Sequence, residues 1–85
     1  MRVDYSNGAE IIAKISINGE EYIFDAQNEN AISDFIYGEI GEVLHETSRV
    51  PLFIEASSWC VLAGVGDTFE TDYFEISIEV TDNKL

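Results

Sequence analysis

Eighty-five residues are enough for one compact domain and too few for two, so residues 1–85 are read as a single domain. Seventeen Asp and Glu against four Lys and Arg give a formal net charge of −13, yet 46% of the chain is apolar and 12% aromatic, too much for a disordered acidic tail. A polyanionic partner, whether DNA, RNA or an anionic membrane, is excluded on charge, which leaves basic partners.

The first elements are bounded by Asn7-Gly8 and Asn18-Gly19, a pair favoured in type I′ hairpin turns because both central residues need positive φ. They divide the start into strands at 2–6, 9–17 and 20–25. In the second strand Ala9, Ile11, Ala13, Ile15 and Ile17 share one face; in the third, Tyr22 and Phe24 share a face opposite Glu21, Ile23 and Asp25. From Asn28, a candidate N-cap, the period changes: Ile32, Phe35, Ile36, Ile40, Val43 and Leu44 make one helical stripe, with Gly38 and Gly41 weakening the helix interior. His45 then falls at the helix C-terminus, where a cation suits the dipole.

Residues 51–56 read either as the start of a helix that Pro51 opens and Gly64 ends, or as a short strand followed by a helix from Ser57. Gly66, Asp67 and Thr68 read as a turn. The last element alternates, with Phe74, Ile76, Ile78 and Val80 opposite Tyr73, Glu75, Ser77 and Glu79, and 81–85 is a polar tail expected to fray. The expected fold is α+β: an antiparallel sheet of about four strands, a meander with two Asn-Gly turns plus a C-terminal strand, packed on one or two helices.

Catalytic chemistry finds little to work with. Cys60 lies among Val61, Leu62 and Ala63, an apolar setting that keeps a thiol protonated, and one cysteine allows no internal disulfide, as suits a reducing cytoplasm. Ser57-Ser58 lacks a nucleophile elbow and reads as the start of a helical turn. Asp67, Glu70 and Asp72 have the oxygen ligands for calcium or magnesium, but not the spacing of a calcium loop. Neither a catalytic residue, a metal nor a cofactor is assigned. No run reaches the roughly 18 apolar residues of a membrane span, and no apolar segment follows a basic N-terminal flank, so neither membrane spanning nor secretion is expected.

The charge itself is the remaining signal. A folded chain of this length has a radius of gyration near ~12 Å and spans roughly 30 Å, over which B-DNA carries on the order of 18 phosphates. A net charge of −13 is a comparable density. Such a domain can occupy the basic nucleic-acid channel of another protein, with Glu20, Glu21 and Asp25 on the second hairpin, Glu39, Glu42 and Glu46 on the helix, and Asp67, Glu70 and Asp72 in the late loop as phosphate surrogates for Arg and Lys. Acidity that serves solubility alone is the other reading.

Residues 18–36, Asn-Gly-Glu-Glu-Tyr-Ile-Phe-Asp-Ala-Gln-Asn-Glu-Asn-Ala-Ile-Ser-Asp-Phe-Ile, resemble the corresponding stretch of small acidic phage-encoded anti-CRISPR proteins. The likeness consists of Gly19, Glu21, Tyr22, Asn28, Glu29, Ile32, Phe35 and Ile36, in the same order with a one-residue offset after the strand, and the chain departs from it after residue 47. The resemblance implies a non-enzymatic α+β decoy that covers the site where a type II RNA-guided nuclease reads duplex DNA. The expected setting is the cytoplasm of a bacterial host, with a basic nucleic-acid-binding protein such as a nuclease as the partner. Two alternatives remain: an immunity protein for a basic nuclease toxin, anchored by Tyr37 or Tyr73, and a homodimeric accessory protein of a phage or mobile element whose strand 73–80 lies at a sheet edge.

Overall fold

Both Asn-Gly pairs adopt the turn the sequence calls for, and only one of them closes a hairpin. The computed structural model describes residues 2–41 and 45–81, apart from the side chains of Arg2 and Glu46. The strand residues are β1 (Arg2–Tyr5), β2 (Ile11–Ile17), β3 (Glu20–Asp25), β4 (Thr68–Glu70) and β5 (Phe74–Val80); the helices are α1 (Glu29–Ile40) and α2 (Glu46–Leu62). The helical expectations for Val43 and Leu44, the site expectation for Glu42 and the frayed tail at 82–85 lie outside the described residues.

Asn18 (φ 55°) and Gly19 (φ 79°) join β2 to β3 in a two-residue turn with Ile17 opposite Glu20. Asn7 (φ 56°) and Gly8 (φ 79°) make the same turn, closed by the Ala9 amide donating to the Ser6 carbonyl at 3.1 Å, but β1 then pairs in parallel with β3, with Val3 opposite Tyr22 and Tyr5 opposite Phe24. The sheet order is β1-β3-β2-β5-β4, so the expected antiparallel meander of about four strands becomes a mixed sheet of five. Competition explains the difference. Both edges of β2 are taken, one by β3 and the other by the seven residues of β5, which bury Phe74, Ile76 and Ile78. At about 1.5–3 kcal/mol for each large side chain buried, β1 with Val3 and Tyr5 cannot displace β5. It docks outside β3 instead.

The same pairing corrects a second expectation. β5 is interior, flanked by β2 and β4, so no free β5 edge is left for a symmetry mate. The segment read as turn and late loop contains β4, fixed by Phe69 against Trp59 (ring centroids 5.5 Å apart) and Phe74 (6.0 Å). Thr81 is tied down, its amide donating to the Glu10 carbonyl at 2.8 Å.

Both helices cover one sheet face. Ala13, Ile15, Ile17, Phe24, Phe74, Ile76 and Ile78 meet Ile32, Ile36 and Ile40 of α1 and Ala56 and Cys60 of α2. The α1 stripe is the expected one, and Asn28 caps it by accepting from the Ala31 amide. Residues 51–56 are helical, with Pro51 in the second turn of α2, and Ser57-Ser58 lie in its interior, where Ser57 Oγ donates to the buried Ser33 Oγ at 2.8 Å. Because α1 ends at Ile40, His45 is not at its C-terminus; it is the N-cap of α2, its carbonyl accepting from Arg49 at 2.9 Å. The Arg49 guanidinium reaches back over the Tyr37 ring, 4.3 Å from its centroid, and lies where a Cβ on Gly41 would collide with it. The radius of gyration is 12.4 Å.

Candidate functional site

The face of the sheet away from the helices is built by strand alternation alone. Opposite each inward side chain stands an outward one, and register places Glu21, Ser16, Glu75 and Glu70 in one row across β3, β2, β5 and β4. The next row is Asp4, Ile23, Lys14, Ser77 and Thr68. Lys14 is the central cation: its Nζ lies 3.3 Å from Glu79 and 3.9 Å from Glu21. Ile12 (4% exposed) and Ile23 (1% exposed) are buried on this face, with Lys14 directly opposite Ile23, so its methylene stem lies over the sheet.

The acids are most crowded where the β2–β3 and β4–β5 connections lie side by side, since Ile17 is opposite both Glu20 and Phe74. Glu20 and Glu21 follow the Asn18-Gly19 turn, and Glu70 is directly opposite Glu75. Asp72 sits in a connection held by Thr71, whose Oγ1 accepts from the Tyr73 and Phe74 amides, both at 3.1 Å. Glu39, in the last turn of α1, shares a groove of about 280 Å³ with Asp72, Tyr73, Asn18, Ile17 and Ile40. Tyr22 registers this field: burial first, then the charges of Glu39, Glu20 and Tyr5, push its phenol above the ordinary tyrosine value.

Five of the nine carboxylates singled out in the sequence therefore lie at one end, on two sides of the sheet: Glu21 and Glu70 on the outer face, and Glu20 on the helix-covered face, where Glu39 and Asp72 share the groove. Glu75 joins them, set opposite Ser16 by the β2–β5 register and opposite Glu70 by β4. Two others lie at the opposite end and lock turns. Asp25 Oδ1 accepts from the Gln27 amide at 2.9 Å and Asp67 Oδ2 from the Gly64 amide at 2.8 Å. For Asp67, Glu70 and Asp72 the expected common loop is thus replaced by a strand with Asp67 before it and Asp72 beyond it. Glu46 opens α2, and its side chain is not among those described.

Tyr73, 42% exposed, projects beside Glu39 and Asp72, whereas Tyr37 is committed to Arg49 and to Phe53, whose ring centroid is 5.0 Å away. Cys60 is buried; desolvation first and Glu29 second push its thiol up to about 11, which leaves it protonated and inert at neutral pH. Among the described residues no group of three His, Cys, Asp or Glu side chains converges on a metal position, and no helix is long and apolar enough to cross a membrane. The arrangement gathers carboxylates at one end of the sheet. No protein-family model, curated protein or solved structure matches the chain.

Proposed function

We propose that this protein is a non-enzymatic acidic decoy that occupies a basic nucleic-acid-binding site on another protein, with Glu20, Glu21, Glu39, Glu70, Asp72 and Glu75 taking the place of phosphates against its Arg and Lys side chains. The observation that carries this reading is the Glu70–Glu75 pair. Like charges directly opposite in neighbouring strands cost roughly 0.2–1 kcal/mol, and neither carboxylate makes a hydrogen bond or ion pair among the described residues. Solubility needs charge anywhere on the surface; it does not need two glutamates opposed across β4 and β5, at an end that carries four more carboxylates. The resemblance of residues 18–36 to anti-CRISPR proteins supports a type II RNA-guided nuclease in a bacterial cytoplasm as the first target to try. A nuclease toxin neutralised by an immunity protein is the second, favoured by exposed Tyr73 as an aromatic anchor within the acidic end.

The deciding experiment measures affinity for the nuclease across a salt series with unlabelled duplex DNA as competitor. A decoy loses affinity steeply as salt rises and is displaced by DNA. The triple variant Glu70→Gln, Asp72→Asn, Glu75→Gln is expected to bind about tenfold or more weakly, at roughly 0.5–1 kcal/mol for each carboxylate neutralised. Binding that DNA does not compete at any salt removes mimicry.

A further inference from the structure

The end of the molecule remote from the crowded carboxylates carries an open groove of about 620 Å³ between the end of β1 and the first two turns of α1. Tyr5, Phe24 and Phe35 form its aromatic lining, with Asp4 and Asp34 among the groups around them. The rings follow one another at a tilt: Tyr5 to Phe24 is 5.1 Å between centroids at 33°, and Phe24 to Phe35 is 5.2 Å at 49°. The groove is open because β1 is an edge strand and contributes nothing to the buried core, which leaves Tyr5 51% exposed.

Its chemistry selects a cation. Aromatic faces present the negative side of their quadrupole, and among the described residues no Lys, Arg or His lines the groove. The exposed Asp34 carboxylate makes no hydrogen bond or ion pair among the described residues. Asp4, next to Tyr5 on β1, shares the row of Ile23 on the other sheet face, and its Oδ1 accepts from the Ser6 amide and hydroxyl at 2.8 and 2.6 Å. A planar guanidinium fits such a site better than an ammonium does, because it stacks on a ring while its edge donates to a carboxylate. The chain already makes this kind of contact internally, with Arg49 over Tyr37 and its Nη1 donating to the Tyr37 carbonyl at 3.4 Å.

We propose that the Tyr5–Phe24–Phe35 groove, with Asp34 beside it, receives an arginine side chain of the protein whose basic site the decoy covers. The inference rests on the decoy reading for the source of the arginine, and it adds orientation. Phe24 lies four positions along β3 from Glu20, roughly 13 Å, so a partner that fills the groove while facing the acidic end is held at two points.

The test uses blocked tripeptides, Gly-Arg-Gly, Gly-Lys-Gly and Gly-citrulline-Gly, titrated into the isotope-labelled protein and followed by NMR. The arginine peptide is expected to shift the Tyr5 and Phe35 ring signals saturably, the lysine peptide to bind roughly fivefold more weakly, and the neutral citrulline peptide to cause no saturable shift. Asp34→Asn is expected to weaken the arginine peptide roughly fivefold, with signals elsewhere unchanged. Tyr5→Leu, which keeps Asp34 and an apolar side chain, is expected to do the same. Equal binding of the arginine and citrulline peptides, or unchanged affinity in Asp34→Asn, overturns the proposal. Because no nuclease takes part, the two readings fail separately: saturable arginine binding with no DNA competition for the nuclease sinks the decoy alone, and the converse sinks the groove alone.

Discussion

Cys60 lies 8% exposed on α2, one turn after Ala56, and its chemistry follows from where the helix puts it. Burial and Glu29 raise its pKa from 9.0 to about 11, so at pH 8 the thiolate is about a hundredfold scarcer than in an unfolded chain. Iodoacetamide should therefore modify the native protein at pH 8 about a hundredfold more slowly than the urea-unfolded protein; equal rates would show that the thiol is open. The sign of the linked stability effect follows from the same shift. Between pH 9 and about 11 the folded state holds a proton that the unfolded state has lost, so this contribution is complete below pH 9 and disappears as pH rises towards 11. The urea midpoint should fall through that window, and fall less in Cys60→Ala. Tyr22, also raised, pushes in the same direction, so the comparison is cleanest on a Tyr22→Phe background.

On the decoy reading, the β4–β5 pair sets stability against binding. Replacing Glu75 by Lys converts the like-charge pair with Glu70 into an opposite-charge pair, which should raise unfolding free energy by about 0.5–1 kcal/mol in urea titrations while weakening the partner. A destabilised Glu75→Lys protein would mean that the glutamate serves the fold. β4 also shows where sequence patterns stop being informative. β2, β3, β5 and α1 are legible because each runs long enough for its period to show, and Ile32, Ile36 and Ile40 are buried as their spacing demands. Three residues with one half-buried side chain, Phe69, cannot show a period, and β4 exists through ring contacts with Trp59 on α2 and Phe74 on β5, which its own three residues do not encode. Pro51 hides the continuity of α2 for a related reason: tertiary packing at Ala56 and Cys60 outweighs one missing amide. The two Asn-Gly pairs are locally equivalent, so only competition for the edges of β2 distinguishes them. The acidic end was legible as residue types near turns, but the meeting of Glu39 with Asp72 is a product of topology, and the turn-locking hydrogen bonds of Asp25 and Asp67 show up only in atomic detail.

Across the whole molecule, a net charge of −13 is confined within principal extents of 45 × 28 × 19 Å. The Debye length is about 10 Å at 0.1 M salt and about 30 Å at 0.01 M, so at low ionic strength the carboxylates on β3, β4, β5 and α1 repel one another across the entire fold. Against this, the Lys14 pairs with Glu79 and Glu21 are surface contacts of small value. Repulsion dominates, and the protein should become more stable as sodium chloride is added. If screening recovers about 1 kcal/mol between 10 and 300 mM, the melting temperature rises by roughly 4–8 °C for a domain of this size. Affinity for a basic partner has the opposite salt dependence, since the same ions screen attraction. Glu75→Lys should flatten both slopes, because it removes charge from the end where crowding is greatest. A melting temperature that falls with salt would mean that attractive pairs outweigh repulsion, and the carboxylates would then be spent within the fold rather than held ready for another protein.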